Sequence, residues 1–197
     1  ITFSGNSVVG NTGGGIYIRG GNPIVTGNTI ENNTGQNGGG ILLSLEDRVG
    51  PEPNKAVLAR NTIVGNTTLF NGGAIYISLD VNSEGTVHVD QNTVARNISK
   101  GVISSAIYIH WRLSLASIAE STFQDNNISN NDSEYIFYNS SPNVKSNWNV
   151  KNNWWGTTND AVIKAKIFDW FDDPNVGIVD YVPFLTQPSV TAPRLPP

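Results

Sequence analysis

The chain contains no cysteine and no methionine in 197 residues, and only two histidines. Without cysteine there is no disulfide and no thiolate for nucleophilic or metal chemistry. His88 sits in a strand-like run and His110 opens a loop, and no spacing joins them into a metal site. No motif calls for a cofactor. No apolar run approaches the ~18 residues that cross a bilayer, so no membrane span is expected. Charge is sparse: 12 Lys and Arg stand against 16 Asp and Glu, a net −4, which gives no reason to expect a nucleic-acid partner. Leucine-rich and propeller signatures are missing as well.

What the chain has instead is a repeat of asparagine, glycine and short β-branched runs. Asn6-Ser7-Val8-Val9-Gly10-Asn11 returns as Asn28–Asn33, Asn61–Asn66 and Asn92–Asn97, and Ser121-Thr122-Phe123-Gln124-Asp125-Asn126 reads as a decayed copy. The period drifts between 22 residues (6 to 28) and 33 (28 to 61). Each copy has an apolar residue two places in: Val8, Ile30, Ile63, Val94, Phe123. A second apolar file lies three places upstream, at Val25, Leu58, Val89, Ile118 and Val150. A third piece alternates: Ile16-Tyr17-Ile18, Ile41-Leu42-Leu43, Ile75-Tyr76-Ile77, Ile107-Tyr108-Ile109, Ile136-Phe137-Tyr138.

Three short β-type runs per variable period predict an all-β, right-handed parallel β-helix solenoid of about six coils, stacked about 4.8 Å apart. The apolar files fill the bore. The Asn files read as structural ladders, since Asn tolerates left-handed angles and its amides can bond along the axis. Residues 1–152 form the coils. Residues 153–186 read as a cap, with a helix whose stripe is Ile163, Ile167 and Trp170, then a strand near 178–185. Residues 187–197, with four prolines, read as a linker or tail. The charged segment 45–55, with its two prolines, and the segments 80–85 and 110–114 are expected side by side on one flank.

Alternation turns Tyr17, Leu42, Tyr76, Tyr108 and Phe137 outward, a stripe that Trp111 would extend. Tyr17, Tyr76, Tyr108, Trp111 and Phe137 are therefore the candidate ligand-binding residues, suited to sugar rings or a protein surface. Arg60, Gln91 and Glu120 form another file beside Asp90, but Asp90 and Glu120 are offset by one position and read as solvated rather than as a catalytic carboxylate pair. Asp169, Asp172 and Asp173 lack a calcium-loop pattern. Ser7, Thr29, Thr62, Thr93 and Thr122 line up as a hydroxyl file, flanked by charges that spoil an ice-binding face. Sequons occur at Asn32, Asn66, Asn97, Asn127, Asn131 and Asn139.

Gly72-Gly73-Ala74-Ile75-Tyr76 and Thr2-Phe3-Ser4-Gly5-Asn6 resemble the repeats of right-handed β-helix surface proteins, including the polymorphic outer-membrane type. The Asn-Thr-Ile-x-x-Asn copies resemble those of secreted carbohydrate-active β-helix proteins. Asn153-Trp154-Trp155-Gly156, continuing to Val182-Pro183-Phe184-Leu185, is similar to a C-terminal segment of large multidomain β-helix proteins. The resemblance implies an extracellular or cell-surface location. It carries over no catalytic residue, because such repeats serve lyases, hydrolases, adhesins and scaffolds alike. The leading expectation is a non-catalytic segment of a larger surface or secreted protein, acting in adhesion or as a fibre-forming subunit through its coil ends. The alternative is a polysaccharide-binding or polysaccharide-cleaving protein.

Overall fold

The computed structural model describes residues 1–45, 54–79, 85–111, 120–141 and 147–195. The predicted loop flank falls largely on residues outside these, as does Ile118. Every strand pairing is parallel, and the strands gather into four sheets. Sheet 1 has seven strands: Thr2–Ser4, Ile24–Thr26, Asn54–Ala59, Gly85–Asp90, Thr122–Gln124, Trp148–Asn149 and Val179–Asp180. Sheet 2 has five: Ser7–Val9, Thr29–Glu31, Thr62–Val64, Thr93–Ala95 and Asn127–Ser129. Sheet 3 has three: Thr34–Gly35, Thr67–Thr68 and Ile98–Ser99. Sheet 4 has six: Ile16–Arg19, Ile41–Ser44, Ile75–Leu79, Ser105–Trp111, Tyr135–Asn139 and Ile167–Phe168. The all-β parallel solenoid is as expected, but the coil count is corrected from six to about four turns: sheet 4 has six strands, sheet 2 has five, and only three coils carry a strand in all four sheets.

The bore is built from in-register apolar files. Phe3, Val25, Leu58, Val89 and Phe123 pair across sheet 1. Val8, Ile30, Ile63, Val94 and Ile128 pair across sheet 2. Ile16, Ile41, Ile75, Ile107, Phe137 and Ile167 pair across sheet 4. From the second coil onward these side chains are buried.

Two corners set the cross-section. Gly27, Arg60, Gln91, Asp125 and Asn152 all have positive φ, as do Gly10, Asn32, Gly65, Arg96 and Asn130 at the next corner. The ladder asparagine follows directly in each coil. This corrects one expectation: the residue before the asparagine takes the left-handed turn. The asparagine itself is freed to bond along the axis. Asn61 is fully buried. Its backbone N–H and Nδ2 both donate to Asn92 Oδ1, at 2.9 and 3.0 Å, and Nδ2 also donates to Val25 O at 2.9 Å. Its own Oδ1 accepts from Asn28 N and Nδ2, both at 3.0 Å. The same set runs Asn6–Asn28–Asn61–Asn92–Asn126–Asn153 and Asn11–Asn33–Asn66–Asn97–Asn131. A buried amide with every donor and acceptor met stiffens and specifies the coil.

The ladders overturn the predicted register after residue 97. Asn92 bonds Asn126, not Ser121, so the true copy is Asn126-Asn127-Ile128-Ser129-Asn130-Asn131. Thr122–Gln124 belongs to sheet 1, and Phe123 takes the place assigned to Ile118. Residue spacing misled here because the number of residues between ladder positions varies, whereas an asparagine at the next position meets the amide of the one before it. The hydroxyl file loses Thr122, whose position on sheet 2 is held by Asn127.

The C-terminal end differs from expectation too. Helix α1 spans only Asp160–Lys164, with Asn159 Oδ1 accepting from Ala161 N and Val162 N. Ile167–Phe168 then leaves the helix to pair with Phe137 and Tyr138. The backbone bonds of an open sheet edge outweigh continuation of a short helix. Ile163 and Ile167 are buried as predicted, but Trp170 is 40% exposed. Trp155, Ile163 and Val179 close the bore with Trp148 and Val150. The proline-rich stretch does not run away from the body. It folds back over sheet 2, where Asn127 and Ser189 exchange two hydrogen bonds and Thr93 Oγ1 donates to Pro193 O.

Candidate functional site

The aromatic stripe is real but shifted by one residue at its far end. Tyr17, Leu42, Tyr76 and Tyr108 pair in that order, and Tyr108 then pairs with Tyr138, which pairs with Phe168. Phe137 is fully buried and meets Phe123 edge-on at 5.3 Å, so its placement in the stripe is corrected to Tyr138. A one-residue slip sends every side chain to the opposite face. Four rings stack along the axis: Tyr76–Tyr108 at 5.1 Å, Tyr108–Tyr138 at 5.3 Å and Tyr138–Phe168 at 4.1 Å, all within 10° of parallel. Tyr135 meets both Tyr138 and Phe168 edge-on. Their faces are therefore spent on one another, and a sugar ring would meet edges rather than faces. Tyr17, 65% exposed, stands beyond Leu42 and outside the stack. Burial, then the neighbouring rings of Tyr108 and Tyr135, pushes the Tyr138 phenol up to about 12. The Trp111 side chain lies outside the described residues; its backbone pairs with Leu79.

The outer face of sheet 1 gathers a second group that spacing did not connect. Thr122 Oγ1 donates to the Asp90 carboxylate, 3.0 Å from each oxygen, and Gln124 N donates to Asp90 Oδ1 at 3.0 Å. His88 Nδ1 lies 2.9 Å from Thr122 Oγ1. Since the threonine proton is committed to Asp90, His88 Nδ1 carries the proton of that bond. Burial raises the Asp90 carboxyl above its usual 3.8, against the opposing pull of Thr122, Gln124 and His88. Arg60 Nε donates to Gln91 Oε1 at 2.8 Å at the adjoining corner, where Asp125, not Glu120, continues the file.

Asp90 has a raised carboxyl pKa in the folded rod. Its stabilising contribution is complete below the ordinary carboxyl range and is lost as pH rises through the elevated folded value. Asp90→Asn should therefore be at least as stable as the native chain at pH 7, with the advantage shrinking as pH falls to about 3.5. Urea midpoints at the two pH values check this. A variant weaker at pH 7 and equal at 3.5 would reverse the assignment.

With the coils and their faces defined, the chain can be set beside known families. A family model described as the right handed beta helix region matches residues 1–110, more than half the chain. The chain belongs to the right-handed β-helix family. No curated protein and no solved structure gives a significant match.

In this β-helix the C-terminal acids serve the turn that carries them. Asp169 is buried, and its carboxylate accepts from Phe171 N at 3.0 Å and Val179 N at 2.9 Å. Asp172 accepts from Asp169 N, and Asp173 from Asn175. Among the described residues no group of three His, Asp or Glu is placed to hold a metal. Tyr181 donates to Asp160 at 2.9 Å, and burial followed by that bond pushes its phenol up to about 12.

Several sequons arise from the ladder itself. Asn66 and Asn97 are ladder members with no exposed surface, and Asn139 is buried with Nδ2 donating to Gly177 O. Expression in a glycosylating host should leave these three bare, read by peptide mass mapping after glycosidase release in heavy water. Full occupancy at Asn66 or Asn97 would mean that the ladder had not formed.

Proposed function

We propose that this β-helix is a non-catalytic rod segment of an extracellular or cell-surface protein, working through its faces rather than through bond-making chemistry. The observation that supports this most is that its polar and aromatic groups are turned on one another. The Asp90 and Asp169 carboxylates each accept from two internal donors, and the ring faces of sheet 4 are stacked. Such a surface gives stiffness and shape. Adhesion by contact with another protein fits it better than a glycan platform, because ring edges and hydroxyls are what sheet 4 offers. Assembly through the coil ends is restricted at the C-terminal end, where Trp155 and Ile163 close the bore.

Polysaccharide binding or cleavage is the second possibility. It is favoured by Asp90, a carboxyl made less acidic by burial, beside His88 and Thr122. A panel of acidic and neutral polysaccharides separates the two. The rod reading expects no new reducing ends and no unsaturated products with the native chain. Turnover that is abolished by Asp90→Asn, with the fold retained, would replace it with the enzymatic one. Glycan-array binding lost in a Tyr76→Ala, Tyr108→Ala double variant would instead restore the sugar platform.

A further inference from the structure

The outer face of sheet 2 changes character along the rod. In the first coil Val9 is 50% exposed and Ser7 is open, and in the second Thr29 and Glu31 are half-buried. In the third and fourth coils the equivalent residues Thr62, Val64, Thr93 and Ala95 are all buried, although they face away from the bore. Part of the cover is the chain's own tail. Ser189 is held by Asn127 through a reciprocal amide pair, Nδ2 to Ser189 O at 3.0 Å and Ser189 N to Oδ1 at 2.6 Å. One coil further towards the N-terminus, Thr93 Oγ1 donates to Pro193 O, and Ala192 is buried. Between these anchors the strap is bent, with Thr191 N donating to Ser189 Oγ at 3.3 Å. A cavity of about 400 Å3 between strap and sheet is lined by Asn127, Ser129, Trp154, Val190 and Leu195 among others.

We propose that this face of sheet 2 is a recognition groove for the Pro-Ser-Val-Thr-Ala-Pro segment, residues 188–193, and that it takes this segment from a second copy of the chain as well as from its own. Three features carry the inference. The contact fixes the register of the strap, because the Asn127 side chain mimics a backbone amide and bonds the Ser189 main-chain N–H and C=O together. The anchorage is light, resting on three hydrogen bonds and one buried alanine among the described residues, so release is accessible. The tether is short and exposed: Leu185 N is held by Asn153 O at 2.9 Å, and Thr186 and Gln187 are exposed before the strap docks. Exchange of an identical segment between copies is a low-cost route to association, and a shortened hinge promotes it. The inference is independent of whether the rod has an enzymatic activity. Its failure would show in peptide binding and oligomeric state, not in polysaccharide turnover.

The test uses the full chain with a protease site inserted between Thr186 and Gln187, cleaved after folding. Circular dichroism confirms that the nicked rod stays folded. A fluorescent peptide of residues 187–195 should then bind saturably by polarisation. Asn127→Ala should weaken it by at least about tenfold, and Thr93→Val by less, as fits the loss of two hydrogen bonds against one. In the uncut chain, deletion of Thr186 and Gln187 should give a dimer by light scattering. Absence of peptide binding to the folded, nicked rod overturns the proposal, as does binding indifferent to Asn127→Ala. A shortened chain that is folded yet monomeric, with residues 188–195 open to protease, overturns exchange between copies. Should the shortened chain fail to fold, the nicked rod alone decides.

Discussion

Asn92→Ala is expected to lower the stability of the rod by about 3–5 kcal/mol, although it removes only one small polar side chain. Asn92 Nδ2 donates to Leu58 O at 2.8 Å and to Asn126 Oδ1 at 3.1 Å, and its Oδ1 accepts from Asn61 N and Nδ2 at 2.9 and 3.0 Å. Truncation leaves the buried Asn61 donors and the Leu58 carbonyl without their partner in a place water does not reach. Each such group costs roughly 1–3 kcal/mol, far more than a hydrogen bond contributes net. Asn6→Ala supplies the internal control. Asn6 is exposed at the first coil, where water replaces what the side chain gave, so the loss there should stay under about 1 kcal/mol. Chemical denaturation of both variants measures the contrast. Similar losses at the two positions would mean that the ladder contributes through packing or turn geometry and not through satisfaction of buried amides.

The second large effect separates two neighbours. Phe137→Ala should cost about 3–5 kcal/mol, because the ring is fully buried against Phe123 and truncation opens a cavity in the bore. Tyr138→Ala should cost about 1–2 kcal/mol, since its half-buried ring contributes mainly the stack between Tyr108 and Phe168. The order of the two is the informative quantity. If Tyr138 proved the costlier position, the strand Tyr135–Asn139 would sit one residue out of the observed register, with every side chain on the other face.

These variants bear on how far each surface was readable in advance. The stripe on sheet 4 was legible as far as Tyr108, because Ile-Tyr-Ile alternates without ambiguity. It failed at Ile136-Phe137-Tyr138, three apolar or aromatic residues in a row, where alternation offers two phases. The preceding Tyr135 and the pairing of Ser105 with it settle the phase. The Asp90, Thr122 and His88 group was not legible, because it depends on which coil's residue stacks on which, and residue spacing does not give that order after residue 97. The copy Asn126–Asn131, with both asparagines and Ile128 in place, was the available signal for the correct register.

The parallel solenoid, its apolar bore and the structural use of asparagine follow from the sequence alone, because identical residues recurring at like positions must stack when coils repeat. Only the tertiary structure decided the rest: the coil register after residue 97, the short helix yielding to strand 167–168, the inward turn of Phe137 and the docking of the proline-rich strap on sheet 2. Each of these depends on contacts between residues about 30 or more apart in the chain. Variable loops sever local spacing from spatial order there, and the choice falls to whichever arrangement satisfies the buried amides and fills the bore.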